Sequence, residues 1–166
     1  AAQYNALNIT PDTILLPVVP MFHVNAWGTP YAATMMGAKL VLPAHGMDGA
    51  SLYELINGEQ ANLLLGVPTV WLGLLNYLDS INAKLDSVKN VVVGGSAAPL
   101  SMIKAFQEKH DAFLIHAWGM TELSPLGTVN SMTRNMAALP LEQRYQAQLK
   151  QGRPVYGVEI KIVDDA

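Results

Sequence analysis

Short apolar runs alternate with longer amphipathic stretches along most of the chain. Four of these runs have the pattern of strands, and they occupy residues 13–19, 61–67, 91–93 and 112–115. Continuous apolar runs of this kind are typical of strands that are buried on both faces, as in a parallel sheet. Strands that alternate with helices at this spacing indicate right-handed βαβ units. The sequence therefore predicts an α/β fold, with a mostly parallel sheet and helices on both faces.

The stretches between the runs carry start and stop signals for helices. Residues 26–36 are rich in small and apolar residues and end at Gly37, a residue type that commonly closes helices. Ser51 can cap a short helix, with Glu54 completing a capping box. Further helices are predicted over 68–78, from Pro99 onward and over 139–151, with Gln148 on the outside of the last one.

Length and pattern together predict one domain over residues 1–166. With 51% hydrophobic residues, a chain of 166 residues is long enough to enclose a core of its own. The alternation of strands and helices defines a βαβ core over 13–125, after which the pattern weakens. Residues 126–166 are predicted to hold an excursion helix and a final half-buried strand over 155–163, where apolar and polar residues alternate.

Composition excludes several classes of function. The net charge is −3, with 10 Lys plus Arg against 13 Asp plus Glu, so no basic surface for nucleic acid is expected. The absence of cysteine excludes disulfides and fits a reducing compartment, which makes the cytoplasm the expected location. No apolar run approaches the roughly 18 residues of a transmembrane segment. His45 and His110 match no metal spacing or motif and are expected at the surface.

Three stretches that could carry chemistry follow apolar runs directly: 20–27, 94–98 and 116–122. In an open parallel sheet, ligands bind beyond the carboxyl ends of the strands, so neighbouring strands would bring the three stretches to one crevice. Thr121 and Glu122 offer a hydroxyl and a carboxylate side by side, as a magnesium–nucleotide site requires. Taken alone, the two residues fit equally well a short helix that Thr121 caps.

In this order, the stretches 20–27 (PMFHVNAW), 91–99 (VVVGGSAAP) and 116–122 (HAWGMTE) resemble the motifs of adenylate-forming enzymes. The closest resemblance is to the fatty-acyl-CoA synthetases, and it covers residues 13–163. It implies that the chain is an internal part of the large N-terminal domain of such an enzyme, its AMP-binding region. It also implies a fatty acid as substrate, ATP and CoA as co-substrates and Mg²⁺ as cofactor, and it is compatible with a homodimer of the parent protein.

The resemblance assigns roles residue by residue. Glu122 would ligate the magnesium, Thr121 would donate its hydroxyl to a phosphate, and both are candidate catalytic residues together with His23. Trp27 would gate the fatty-acid tunnel, with His23 and Val24 lining it near the acyl group. The nucleotide would be bound by Gly95, Ser96, Ala97, His116, Ala117, Trp118, Gly119, Met120 and Thr121.

Several residues of the motifs also have properties that bear on binding. His23 and Trp27 are four residues apart, so on a helix they would share a face. Gly95 and its neighbours allow a planar ligand to approach the backbone closely, although a tight strand-to-helix turn without a ligand explains them as well. Trp118 and Ala117 replace the more frequent Tyr and Gly of the family, and an indole stacks on adenine as a phenol ring does.

Other family motifs are expected outside these 166 residues. Members carry a Ser/Thr/Gly-rich phosphate loop upstream and a ribose-binding Asp and catalytic Lys downstream, none of which this sequence contains. The resemblance therefore implies that the chain by itself is inactive.

Two other interpretations remain open from the sequence. A serine hydrolase is suggested because Ser96 follows a strand as on a nucleophile elbow, with Asp111 and His116 after it in hydrolase order. Ala98 replaces the last glycine of that motif, and no glycine-rich oxyanion loop is evident. A non-catalytic module that binds a nucleotide or a partner is the third interpretation.

Overall fold

A computed structural model describes residues 6–164, and a seven-stranded sheet forms its centre. The strands lie in the order β2-β1-β3-β4-β5-β6-β7; β1 to β5 pair in parallel, whereas β6 and β7 are antiparallel. The strands are β1 (Ile14–Val18), β2 (Lys39–Leu40), β3 (Leu63–Gly66), β4 (Asn90–Val93), β5 (Phe113–Gly119), β6 (Leu126–Asn130) and β7 (Arg153–Pro154). The predicted α/β fold with a mostly parallel sheet is confirmed. Residues 1–5 and 165–166 of the predicted domain lie outside the described residues.

Helices connect the parallel strands, as the sequence pattern predicts. They are α1 (Val24–Trp27), α2 (Thr29–Met36), α3 (Gly49–Glu59), α4 (Pro68–Ile81), α5 (Leu100–His110), α6 (Arg134–Ala137) and α7 (Leu141–Gln148), and a 3₁₀ turn spans Thr121–Leu123. Within residues 6–164, no helix is both long and apolar enough to cross a bilayer.

Side chains of the central strands alternate between two apolar layers. Leu64 and Val91 pack on one face of the sheet, against the apolar sides of α3, α4, α5 and α7. Leu65 and Val92 point to the other face, which α2 and the segment 6–9 cover. Because both faces are covered, the strands are apolar throughout, and the prediction of helices on both faces is confirmed.

The register of the parallel strands aligns their carboxyl ends. Val18 at the end of β1 pairs with Gly66 of β3, and Gly66 pairs with Val93 of β4. Val93 in turn pairs with His116 of β5, so β5 continues beyond its parallel neighbours. That extension pairs with β6, from Ala117 opposite Val129 to the bulge between Trp118 and Gly119. The stretches predicted to carry chemistry therefore follow one edge of the sheet.

The segment after β6 differs from its prediction. The helix predicted over 139–151 forms as α7, but Gln148 is fully buried instead of outward, and its Nε2 donates to the carbonyl of Leu114 at 3.2 Å. The half-buried strand predicted over 155–163 is wrong: β7 ends at Pro154, and Ile162 is 91% exposed. An alternating pattern forms a strand only where a neighbouring strand accepts and donates backbone hydrogen bonds. The N–H of Val155 still donates to the carbonyl of Gly127 in β6 at 3.0 Å, but no described strand pairs with residues 156–163.

Two other predictions are corrected by the structure. The cap of α3 is Asp48, three residues before the Ser51 at which the capping motif was predicted, and its Oδ1 accepts from the backbone N–H groups of Ala50 and Ser51. His110 is only 6% exposed at the end of α5, whereas a surface position was expected; its ring packs near that of Phe106. His45 is exposed, as predicted.

Candidate functional site

One cleft at the carboxyl edge of the sheet brings together most of the predicted site residues. It opens to solvent at the edge where an open parallel sheet binds its ligands. The predicted residues that line it are His23, Val24, Trp27, Gly95, Ala117, Trp118, Gly119 and Met120. Residues assigned to acyl binding and residues assigned to the nucleotide thus share a single cavity. Their individual roles stay predictions.

The turn that carries Trp27 is left-handed. From Val24 to Trp27 every φ is positive, between 46° and 57°, and Gly28 continues at 68°. The helical face that His23 and Trp27 were expected to share is therefore not formed, although both residues line the cleft. Left-handed backbone costs roughly 1–2 kcal/mol per non-glycine residue, so contacts must hold this turn. Thr29 supplies one, since its Oγ1 donates to the carbonyl of Ala26 at 2.7 Å.

Trp27 lies against the glycine loop, residues 94–98. A Cβ built on Gly94 would come within 3.1 Å of the Trp27 ring, so a larger residue there would push the ring away by a few tenths of an ångström. Gly95 has φ of +80° and exposes its backbone in the cleft. The loop ends at Ala98, which is buried, before Pro99 precedes α5.

The connection between β5 and β6 forms the other wall. Trp118 is 41% exposed, and its ring packs over Gly127 of β6, where any Cβ would overlap it. Gly119 lets the carbonyl of Pro125 approach closely, and the N–H of Met120 donates to that carbonyl at 2.9 Å. Trp118 therefore presents part of an indole to the cleft from a fixed position.

Five predicted residues do not line the cleft itself. Ser96 and Ala97 are exposed at the tip of the glycine loop, and Thr121 and Glu122 are exposed in the 3₁₀ turn after β5. His116 is only 1% exposed and lies behind the loop. Among residues 6–164, Glu122 makes no hydrogen bond or ion pair, and no group of three His, Asp or Glu side chains could hold a metal without help from a ligand.

His116 connects the glycine loop to the segment after α7. Its Nε2 accepts from the backbone N–H of Ala98 at 3.3 Å and lies 3.1 Å from Nε2 of Gln151. Burial lowers the pKa of His116, opposed by nearby backbone groups of Gln148, Ser96 and Leu149. The ring is therefore neutral at physiological pH, which agrees with an unprotonated Nε2.

The cleft also has an apolar floor that no sequence motif predicts, formed by Leu7, Leu65, Val92 and Leu126. Leu65 and Val92 precede the ends of β3 and β4 by one residue and face the same side of the sheet. Strand periodicity could have identified these two, because alternate residues face the same side. Leu7 and Leu126 come from segments whose position depends on long-range packing.

The geometry does not support a serine hydrolase. Asp111 ends α5 at the amino edge of the sheet, whereas His116 lies at the carboxyl edge, five residues or about 16 Å along an extended chain. His116 also uses its Nε2 to accept from Ala98, so it is not available as a base for Ser96. A nucleophile, base and orienting carboxylate must lie within hydrogen-bond reach of one another.

Fold and cleft define a class of protein: an open parallel α/β sheet whose ligand site lies beyond the carboxyl ends of its strands. Within that class, the chain belongs to the AMP-binding enzyme family, whose pattern matches residues 1–166.

Curated relatives agree with this assignment. The chain is 52% identical over 164 residues to a medium-chain-fatty-acid–CoA ligase of Ectopseudomonas oleovorans, a match that covers 99% of the chain and 30% of the relative. It is 45% identical over 165 residues to a long-chain-fatty-acid–CoA ligase of Thermus thermophilus, again with 99% and 30% coverage. The chain thus spans about 30% of the length of these relatives.

Solved structures support the fold. The O-succinylbenzoate coenzyme A synthetase of Bacillus subtilis, solved in complex with ATP and magnesium ion, superposes with a TM-score of 0.76 at 24% identity. The superposition covers 96% of this chain and 30% of that one. At this identity the likeness concerns the fold of the chain only.

Proposed function

We propose that the protein containing this chain is an ATP-dependent fatty-acid–CoA ligase. The observation that carries the proposal is the single cleft shared by Trp27, from early in the chain, and Gly95 and Trp118, from much later. The similarity to medium- and long-chain fatty-acid–CoA ligases supports it. The substrates are then a fatty acid, ATP and CoA. The absence of cysteine is compatible with a cytoplasmic location.

The floor of the cleft suits the tail of an acyl chain. Leu65, Val92 and Leu126 present side chains without hydrogen-bonding groups, and Val24 and Trp27 face them. Each methylene that leaves water for such a surface contributes about 0.8 kcal/mol. His23 is exposed at the mouth beside Val24 and would hydrogen-bond the carboxylate head of the acid.

The wall formed by the glycine loop and β5 suits the adenine. The exposed part of Trp118 offers a stacking surface, and Gly95 allows the ring to approach the backbone from the other side. Ala117, Gly119 and Met120 would complete this part of the site. Three further residues lie outside the cleft lining. Ser96 and Ala97 would contact the nucleotide from the glycine loop, and His116 would position it from behind the loop.

Glu122 and Thr121 fit a magnesium–nucleotide site at the exit of the cleft. Magnesium is usually held by one or two carboxylates together with phosphate oxygens and water, so a single exposed carboxylate suffices on the protein side. Glu122 is exposed and, within the described part of the chain, has no cation paired with it. When bound, the ion would supply positive charge to the phosphates. The Thr121 hydroxyl would donate a hydrogen bond to one of them.

The proposed reaction has two steps. The carboxylate attacks the α-phosphorus of ATP, which forms acyl-AMP and releases pyrophosphate; the thiol of CoA then attacks the acyl carbonyl, which forms acyl-CoA and releases AMP. In the first step the chain holds the acid at His23 and the adenine at Trp118, so that the two reactants meet in one cleft. Donors and cations aimed at the phosphates stabilise the charge that develops there.

The experiment is pyrophosphate exchange into ATP, driven by a fatty acid, in the complete protein. Glu122→Gln should depress this exchange by orders of magnitude and leave the fold intact, because the substitution removes a ligand charge at nearly constant volume. Glu54→Gln, the same change at an exposed position of α3, is the matched control and should behave as wild type. If Glu122→Gln leaves pyrophosphate exchange unchanged at saturating magnesium, Glu122 is not the magnesium ligand. If pyrophosphate exchange by the wild type does not depend on a fatty acid, the proposed function is wrong.

A further inference from the structure

His116 has a hydrogen-bonding arrangement that constrains its protonation. It lies in β5 between its strand neighbours Val93 and Asn130, almost fully buried. The backbone N–H of Ala98 can only donate, so the Nε2 that it meets at 3.3 Å must be an acceptor. The neutral ring therefore carries its proton on Nδ1, and the amide nitrogen of Gln151, 3.1 Å from Nε2, is a second donor to the same atom.

The position of Gln151 is itself held by β6. Thr128, buried in β6, donates its hydroxyl to the carbonyl of Gln151 at 2.7 Å. Asn130, also buried, donates from Nδ2 to the carbonyls of Ala147 and Lys150, both at 2.7 Å. The segment 147–151 is thus tied to the strand that lies beside His116, and Gln151 approaches the ring from a fixed backbone.

The glycine loop is held at its two ends. At its start the N–H of Gly94 donates to the carbonyl of Gly66 at 3.4 Å, and at its end the N–H of Ala98 donates to His116. Between these ends, Gly95 lines the cleft and has a positive φ. The bond to His116 therefore ties the end of the loop to β5.

We propose that His116 and Gln151 form a positioning pair that holds the glycine loop against β5 and so sets the width of the nucleotide side of the cleft. His116 does not line the cleft, so it acts on the nucleotide through Ala98 and not by direct contact. Gln151 donates to the same lone pair as Ala98 and so restrains the rotation of the His116 ring. The proposal deepens the function proposed above and rests on it for the identity of the ligand.

The test uses the complete protein with Gln151→Leu, His116→Leu and the rescue variant His116→Gln, whose amide oxygen can replace the ring acceptor. Loss of one or two neutral hydrogen bonds should raise KM for ATP roughly three- to tenfold in both leucine variants, with KM for the fatty acid unchanged. Amide hydrogen exchange of residues 95–98 should become faster in both. His116→Gln should recover most of the wild-type KM for ATP. Gln146→Leu, the same substitution at an exposed residue of α7, is the matched control.

Two results would overturn the proposal. Wild-type exchange at 95–98 together with a wild-type KM for ATP in Gln151→Leu would show that the pair does not position the loop. An equal rise of KM for ATP and for the fatty acid would show general loosening of the domain. If His116→Leu does not fold, the result for Gln151→Leu alone tests the proposal. Gln151 is exposed, so its replacement should not prevent folding. If the wild type activates no fatty acid, the proposed function fails, while hydrogen exchange still tests the pair.

Discussion

Trp27 and Trp71 lie near the same sheet in contrasting surroundings. Trp71 is fully buried, its Nε1 donates to the carbonyl of Val92 at 3.3 Å, and its ring fills the space over Gly66. Trp27 is half-buried and faces the cleft on one side. A side chain that must move when a ligand binds cannot be packed on all sides. The surroundings of Trp27 are compatible with the gate proposed for it, and those of Trp71 are not.

This contrast gives a prediction for two matched truncations. Trp71→Ala should destabilise the domain by about 3–5 kcal/mol, because it leaves a large buried cavity. Trp27→Ala should cost clearly less, yet change how kcat/KM of the complete protein depends on fatty-acid chain length. Chemical unfolding and kinetics over a fatty-acid series measure the two effects. A loss of stability equal to that of Trp71→Ala, with an unaltered chain-length profile, would show that Trp27 is a core residue and not a gate.

His110 makes the stability of the domain depend on pH. Burial lowers its pKa, Asp79 opposes this shift, and Lys109 and Lys84 add to it. A histidine with a lowered pKa contributes its full stability above the pKa of the unfolded chain, about 6.5. As pH falls from there towards the lower pKa of the folded state, the unfolded chain takes up a proton that the folded chain does not, and stability is lost.

We therefore expect the free energy of unfolding to fall when the pH is lowered from about 7.5 to about 5. His110→Leu should reduce this fall, although His116, whose pKa is also lowered, keeps part of it. His45→Leu, at an exposed position, is the control and should retain the wild-type pH dependence. Urea unfolding at several pH values measures how the free energy of unfolding of each protein depends on pH. An identical slope in His110→Leu and wild type would contradict the assignment.

At the scale of elements, α3 forms near the predicted position, but its capping residue is Asp48 and not the predicted Ser51. Its first turn is capped by Asp48, which accepts from Ala50 and Ser51 through one oxygen and from the Ser51 hydroxyl through the other. These bonds lower the pKa of Asp48, the hydroxyl of Ser51 most of all. Ser51 therefore supports the cap but does not itself satisfy the free N–H groups of the helix.

The two residues should differ when each is replaced by alanine. Asp48→Ala removes the acceptor of both backbone N–H groups, so it should lower the thermal unfolding midpoint more than Ser51→Ala, which removes one donor to the carboxylate. Asp48→Asn should stay close to wild type, because an asparagine side chain also caps helices well. Calorimetry of the three variants measures their thermal unfolding midpoints. A larger effect of Ser51→Ala would restore the predicted capping box.

At the scale of the whole molecule, the described residues form the cleft, but the chain spans only about 30% of the length of its curated relatives. The family resemblance places further phosphate-binding and catalytic residues in other segments. We therefore expect the purified 166-residue chain to form no acyl-CoA from ATP, CoA and a fatty acid. Turnover that depends on all three substrates, followed by chromatography of the products, would contradict this. The complete protein, assayed in parallel, is the positive control.

Local sequence patterns predict the alternation of buried strands and helices, and they identify the glycine and polar residues that follow the strands. Periodicity and composition carry this information locally, so β3, β4, α4 and α5 form where they were predicted. The order of the strands and the pairing of β5 with β6 were decided by contacts between distant parts of the chain. The same contacts explain the buried positions of His110 and Gln148, which local patterns place on the surface. The left-handed turn that begins at Val24 was also decided by the tertiary structure. Its own residues disfavour this backbone conformation, so only the surrounding packing stabilises it.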